Sequence, residues 1–406
     1  MATSSDRGLA RIEWADGQMP VLRSIRERFA REQPLAGVGV GACLHVTSET
    51  AVLVRTLQAG GASVSLCASN PFAIQEDVAV ALSAESTVFA GGPDAWADDV
   101  ASVLTLAPRV TLDDGADLLG ALHSARPDLL AGMHGGTEET TTGLLRLRAL
   151  EAEGALAVPV IAVNEARAER AFNDRFGAGQ SVLDGIVRAT NLLLAGQTVV
   201  VLGYGWTGRG VALRAAGFGA SVIVCEVDPL RALEARMEGF AVMPALEAAA
   251  RGDVFITVTG VPDVLRGEHF YRMKDGAVLA NAGQFDVEIS LADLRSSASS
   301  VREVLPLVER FEFGDRALYL LAGGRVVNLA AAEGHPAAVM DVSFALQALA
   351  CEALVVGAWA PGVHAVPDAI EREVAALKLA ALDVDIDVLT DAQADYLSLT
   401  SPPRGR

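Results

Sequence analysis

The 406-residue chain predicts an α/β fold made of two doubly wound parallel-sheet domains, the second of Rossmann type. Three observations predict it. Short β-branched runs alternate with Ala- and Leu-rich helical stretches almost throughout, the pattern of a parallel sheet covered on both faces. The alternation occurs in two series that meet within 173–197. The second series opens on a G-x-G-x-x-G turn placed directly after a strand.

In chain order, Val64-Ser65-Leu66-Cys67, Val88-Phe89-Ala90 and Val110-Thr111-Leu112 read as strands, with helices over 76–82 and 96–104 between them. In the second series, strands over 198–202, 221–225, 254–258 and 277–280 alternate with helices near 209–216, 229–237 and 246–250. After about Asn328 the pattern turns helical (336–359), and Pro361 and Pro367 break it. The last stretch, 398–406, carries Pro402-Pro403 and is expected to fray. The expected organisation is one domain of 1–172 with 337–385, a second of 173–336, and a short C-terminal extension over 386–406.

Lys plus Arg number 32 against 51 Asp plus Glu, a net charge of -19. Such a surface argues against nucleic-acid partners and against an anionic membrane, because both need positive charge. A small anion held by backbone amides stays compatible. Cys43, Cys67, Cys225 and Cys351 are widely spaced, with no metal-site spacing, so reduced thiols and no metal are expected. No secretory signal is read at the N-terminus, and no run of 18 apolar residues is free of charge and Gly. The expected location is the cytoplasm.

The sharpest motif is Gly203-Tyr204-Gly205-Trp206-Thr207-Gly208. The first Gly permits the tight turn, the second lets backbone approach a pyrophosphate, and the third lets helix and strand pack closely. Glu226 ends the next strand, 23 positions after Gly203, placed to accept from a ribose 2′-hydroxyl. Strand, turn, helix, strand and acid in this order predict NAD rather than NADP. Arg231 could approach a 2′-phosphate or lie solvated on its helix. In Glu138-Glu139-Thr140-Thr141-Thr142-Gly143 the threonines could bind phosphate or ribose together, or merely cap a helix whose dipole the two Glu complement. Taken alone, the cap is the commoner case. By themselves, Asp113-Asp114-Gly115 reads as a turn and His45 as a core or loop residue.

Together these pieces resemble the S-adenosylhomocysteine hydrolase family. The resemblance is carried by Gly41-Ala42-Cys43-Leu44-His45-Val46-Thr47-Ser48-Glu49-Thr50, Leu112-Asp113-Asp114-Gly115, residues 138–143, Ser181-Val182-Leu183-Asp184-Gly185, residues 203–210, Met237-Glu238-Gly239, Phe285-Asp286-Val287-Glu288, Val327-Asn328-Leu329 and Gly334-His335-Pro336. It spans nearly the whole chain, in family order. It implies a substrate-binding domain (1–172 with 337–385), an NAD-binding domain (173–336), an adenine nucleoside substrate and a homo-oligomer, dimer or tetramer. It also implies a mechanism: bound NAD oxidises the ribose 3′-hydroxyl, the 4′-hydrogen becomes acidic, and the 5′-substituent leaves. Water then adds, and the ketone is reduced again. Matching positions imply Thr47 and Glu49 at the adenine, with Glu333 and His335 bordering it. His45 and Asp114 fall near the 5′ end as acid/base groups, and Glu139 on a ribose hydroxyl. Thr140, Thr141, Thr142, Ala282, Gly283, Gln284 and Asn328 fall around the nicotinamide. Gly203, Gly205, Trp206, Thr207, Gly208, Arg209 and Gly210 would cradle the pyrophosphate, and Glu226, with Arg231 nearby, the adenosine ribose.

The chain departs from the family at the chemistry. The family's Lys, followed four residues later by Asp-Asn, is matched by Glu169 and an inverted Asn173-Asp174. A Cys position holds Ala178, the His of Gly-His-Phe-Asp is Gln284, and a Met facing adenine is Glu333. A C-terminal Lys and Tyr of the family are not matched, which leads to an expectation of looser NAD binding. With Glu169, Asn173 and Asp174 as catalytic candidates, these departures point to a shifted outcome: loss of a 5′-substituent, such as water, leaving a 4′,5′-unsaturated nucleoside, as in a dehydratase of a nucleoside-antibiotic pathway. Hydrolysis of S-adenosylhomocysteine is the alternative, and a catalytically silent NAD-binding homologue the third reading.

Overall fold

A computed structural model describes residues 3–72 and 74–400. Its strands are β1 (Gly39–Leu44), β2 (Ser63–Ala68), β3 (Thr87–Phe89), β4 (Val110–Asp113), β5 (Gly135–Glu138), β6 (Pro159–Ala162), β7 (Thr198–Leu202), β8 (Ser221–Cys225), β9 (Ala241–Val242), β10 (Val254–Thr257), β11 (Ala277–Asn281), β12 (Ser300–Leu305), β13 (Val308–Phe313), β14 (Arg316–Leu321) and β15 (Gly362–Ala365). The first sheet runs β15-β6-β5-β4-β1-β2-β3 and is parallel throughout. The second runs β12-β13-β14-β11-β10-β7-β8-β9. Residues such as Val199, Val200, Val201 and Leu202 are buried on both faces, as helices on each side of a parallel sheet require.

The α/β class and both doubly wound sheets stand as expected from the sequence. Three features were not foreseen. Helices Ser4–Gly17 and Pro20–Glu32 precede the first strand, and their apolar faces join the first core through Ile12, Leu22, Ile25 and Phe29. The edge of the second sheet is antiparallel, because β12, β13 and β14 form a meander. The helical stretch across the junction is π-wound over Glu169–Ala178 before continuing as Gly179–Thr190.

Helix Ala337–Val356 is long and apolar enough to cross a bilayer by length and composition, although Asp341 and Glu352 interrupt its apolar run. It is instead a core helix of the first sheet: Val342, Phe344, Ala345, Leu346 and Leu349 pack in its hydrophobic cluster. Its buried Asp341 accepts from the backbone N–H groups of Val21 and Leu22 and pairs with Lys378 at 2.8 Å. The four cysteines are unpaired and buried. Residues 401–406, the end of the expected C-terminal extension, lie outside the described residues.

Candidate active site

Each sheet has a point where the strand order reverses, and ligands of open α/β sheets collect there, beyond the carboxyl ends of the strands. In the first sheet that point lies between β1 and β4. His45 follows β1, Asp114 follows β4, Ser69 follows β2 and Glu139 follows β5. In the second it lies between β7 and β10; Gly203 follows β7, Glu226 follows β8 and Thr259 lies just beyond β10. One cavity of about 1500 Å³ is lined from both edges.

At the first edge, Asp114 Oδ2 lies 3.1 Å from His45 Nε2 and accepts from Ser69 Oγ at 3.1 Å, while His45 Nδ1 is 3.3 Å from the same hydroxyl. The hydroxyl has one proton. When it goes to Asp114, the hydroxyl oxygen can accept from Nδ1–H while Nε2 faces Asp114 Oδ2 at 3.1 Å, so a proton on the Nε2–Oδ2 line can pass between His45 and Asp114 without moving a heavy atom. Ser69 has no motif and was missed from sequence; its only signal is its place at the end of the strand beside the reversal point.

Behind this lies a group of acids. Asp113 caps helix Asp117–Ala125 by accepting from the N–H groups of Leu118 and Leu119, and burial pushes it up to about 7. Glu138 is fully buried and accepts from the N–H groups of Gly115 and Thr140; burial and the neighbouring Asp113 and Asp114 raise it. Gly143 is glycine because the Glu138 carboxylate occupies the space of a Cβ. Glu139 accepts from Ser343 Oγ at 2.9 Å and Gln347 Nε2 at 3.3 Å, and burial with Asp114 nearby pushes it up to about 7. Ser343 and Gln347 are four apart on one face of a mostly apolar helix, a pairing visible in the sequence. Asp174 lines the cavity, and burial raises it to about 7 against the pull of Arg170. Such carboxyls are poised to exchange protons near neutrality.

Glu169 is placed differently from the expectation. It is 1% exposed and lies behind the cavity wall, bonded to Asn173 Nδ2, with its second oxygen lacking a protein partner. Burial, then Glu139 and Asp174, raise it well above the usual carboxylate range. Burial thus favours its neutral form over the charged one. An acid raised on folding weakens stability as pH climbs past its unfolded value, because only the unfolded chain then releases the proton. Glu169→Gln removes that loss. The variant and parent should melt alike at pH 4, with the variant gaining above pH 4.5, by up to about 1.4 kcal/mol per pH unit. Equal melting temperatures at pH 4 and pH 8 would refute a neutral Glu169.

At the second edge, Gly203 has φ 106° and Gly208 sits where a Cβ would strike the Gly203 carbonyl. Gly205 caps helix Trp206–Gly217 with no side-chain bond, leaving that terminus free to hold an anion. A Cβ on Gly205 would meet nothing closer than Arg231 Nη1 at 3.7 Å, so the protein itself does not demand glycine there. Glu226 accepts from the N–H groups of Tyr204, Val227 and Asp228. Thr140 occupies the N-cap of helix Thr141–Ala152, but its hydroxyl makes no cap bond. Thr141 donates to Asn164, and the buried Thr142 hydroxyl and Asn328 Oδ1 lack protein partners. Ala282, Gly283 and Gln284 form a loop held by Asn281 and by Glu288, whose carboxylate fills the space of a Gly283 Cβ. Orphaned polar atoms beside an open glycine turn fit a dinucleotide.

Two cofactor assignments are corrected. Arg209 does not line the cavity; it pairs with Glu238, which also accepts from Tyr204 Oη at 2.7 Å. Gly210 is where helix Trp206–Gly217 meets the Arg175 backbone. Their place in the motif reflects packing. At the remaining end, Thr47 caps helix Ser48–Ala59, burial raises the Glu49 carboxyl, and His335 is pushed down to about 4 by burial and by His45, so its ring is neutral. Glu333 lines the cavity but spends its carboxylate on Arg11 at 2.5 Å and Arg188 at 3.3 Å.

Residues 2–127 match the family model of S-adenosyl-L-homocysteine hydrolase, and residues 174–334 match that of its NAD binding domain. The adenosylhomocysteinase of Aquifex aeolicus is 54% identical over 402 residues, 97% of this chain and 96% of that one. That of Nostoc sp. is 51% identical over 399 residues, 96% and 94% of the two chains. The S-inosyl-L-homocysteine hydrolase of Methanosarcina acetivorans is 51% identical over 398 residues, 97% of each. Relatives this similar over nearly the whole chain are named as hydrolases. That overturns the expected elimination to a 4′,5′-unsaturated nucleoside, and with it the lyase, dehydratase and antibiotic-pathway readings.

Proposed function

Because this chain belongs to the S-adenosylhomocysteine hydrolase family and uses NAD, we propose that it hydrolyses the thioether of S-adenosyl-L-homocysteine to adenosine and homocysteine. The observation that supports this most is the single cavity joining a dinucleotide turn to a cluster of proton-exchanging acids. When bound, NAD supplies a reversible hydride acceptor. Gly203, Gly205, Trp206, Thr207 and Gly208 would hold its pyrophosphate and Glu226 its adenosine ribose. Thr140, Thr141, Thr142, Ala282, Gly283, Gln284 and Asn328 would surround the nicotinamide.

The protein's own groups divide the proton work by position. Glu139, fixed by Ser343 and Gln347, orients the ribose. The His45–Ser69–Asp114 triangle handles protons at the 5′ end, delivering one to the departing sulfur and taking one from the incoming water. Gln284 lines the cavity as a neutral amide, so it orients without exchanging protons. Thr47, Glu49 and the neutral His335 receive the base, with Glu333 and its two arginines at the rim. The Glu49 carboxylate can accept from the exocyclic amine of adenine or from N1–H of hypoxanthine. S-inosyl-L-homocysteine is therefore the second substrate to test, as the Methanosarcina relative suggests.

NAD-loaded protein given each thioether separately should release free thiol and nucleoside from the adenosyl compound at about 1 per second or faster. Thiol from the inosyl compound alone would reassign the base. No thiol from either would reject the hydrolase reading.

A further inference from the structure

The π-wound segment Glu169–Ala178 carries two pairs of residues four apart. Bonding from i to i+5 widens the turn, so residues four and five apart share a face. The inner pair, Glu169 and Asn173, is bonded to itself, and its acid stands behind the wall. Asn173 itself lines the cavity, together with the second pair, Arg170 and Asp174. Among the described residues, three Lys or Arg side chains reach this cavity: Arg170, Arg231 and Arg266. Arg231 lies on helix Pro229–Met237 and Arg266 just before helix Gly267–Phe270, both in the second half of the site. Arg170 is thus the cation on the side of Asp114, Glu139 and Asp174. Its neighbour Glu165 is 3.6 Å away and is held more closely by Arg148, at 2.5 Å, which leaves the Arg170 guanidinium available to the cavity.

We propose that Arg170 and Asp174 are the charged pair that works on a sugar hydroxyl of the substrate. Asp174 accepts the hydroxyl proton, the hydride of the same carbon leaves to NAD, a carbonyl forms, and Arg170 faces the oxygen while negative charge develops on it. Return of hydride and proton restores the hydroxyl. Without that guanidinium, no Lys or Arg among the described residues would face the developing charge on this side of the cavity. The assignment rests on the hydrolase reading and names the residues that carry its redox half.

The test is a single turnover of the NAD-loaded enzyme with adenosine, read as absorbance of the reduced nicotinamide, alongside NAD affinity by equilibrium dialysis. Arg170→Gln should slow reduction about 100- to 1,000-fold, the usual effect of removing one charge-stabilising donor, with NAD affinity within about twofold. Arg170→Lys should recover about tenfold or more of that loss, and Glu169→Gln should lose less than about tenfold. Parental reduction by Arg170→Gln, or a greater loss in Glu169→Gln, would overturn the assignment. Thiol release by the parent is scored separately. A parent that releases no thiol, yet shows Arg170-dependent reduction, discards hydrolysis and keeps the pair. A parent whose NAD no nucleoside reduces overturns both.

Discussion

Asp114→Asn should stop homocysteine release almost completely while bound NAD is still reduced by substrate. The asparagine keeps the shape and the backbone bond from Asp114 N–H to the Cys43 carbonyl, at 3.0 Å. It loses the negative charge 3.1 Å from His45 Nε2 and the ability to take up a proton. The sugar redox step uses other groups and should survive. Removing one well-placed proton-transfer group costs about 100- to 10,000-fold. His45→Asn should fail at the same step. A folded Asp114→Asn protein releasing thiol at the parental rate would remove this triangle from the mechanism, and loss of both half-reactions together would make Asp114 a structural residue.

Gly208→Ala should abolish retention of NAD. The added methyl would press on the Gly203 carbonyl, and Gly203 cannot yield: its own positive φ brings it against the Val258 carbonyl, 2.7 Å from where its Cβ would lie. Overpacking of this kind costs about 1–3 kcal/mol, enough for an affinity loss on the order of 100-fold, and it also lowers the melting temperature of the apo protein. Gly205→Ala provides the contrast. Nothing in the protein lies nearer than 3.7 Å to the new methyl, so apo stability should hold while NAD affinity falls. Dialysis and melting curves of both variants check this. Undiminished NAD affinity in Gly205→Ala would show that no ligand backs onto that residue.

The elements that could be read from sequence are those whose residues answer to a local rule. The strand–Gly turn–helix–strand–acid order placed residues 198–226 because its parts follow one another at fixed local spacing. His45, Asp114 and Glu139 were reached only through the family resemblance, because by themselves their local patterns read as a loop residue, a turn and a helix cap. Ser69, Ser343 and Gln347 escaped because their partners lie 24 to 208 positions away and only the fold brings them together. Glu169 was misplaced for a different reason. Counting along the chain assigned it to the sugar, whereas the wound backbone turned it inward and left its protonation to burial. The β12–β14 meander was missed because β12 is almost wholly exposed and β13 half-covered, so neither carries the continuous apolar run of β7 and β10. The reaction outcome was misjudged from substitutions at single columns; similarity over the whole chain corrected it.

The widened turn of Glu169–Ala178 also bears on how such a site can evolve. On a regular helix, moving a charge by one position swings it about 100° around the axis and out of reach of its ligand, so the sequence column and the spatial slot are the same thing. On the wider winding, columns four and five apart share a face, so either can serve one slot. A lineage can then hand a charge from one residue to another four or five places along by point substitutions, with no insertion and no period in which the slot is empty. Homologues sharing this winding should be compared by the slot each side chain fills, not by the letter at each column. A search for lost activities that scores columns alone will count such exchanges as inactivation.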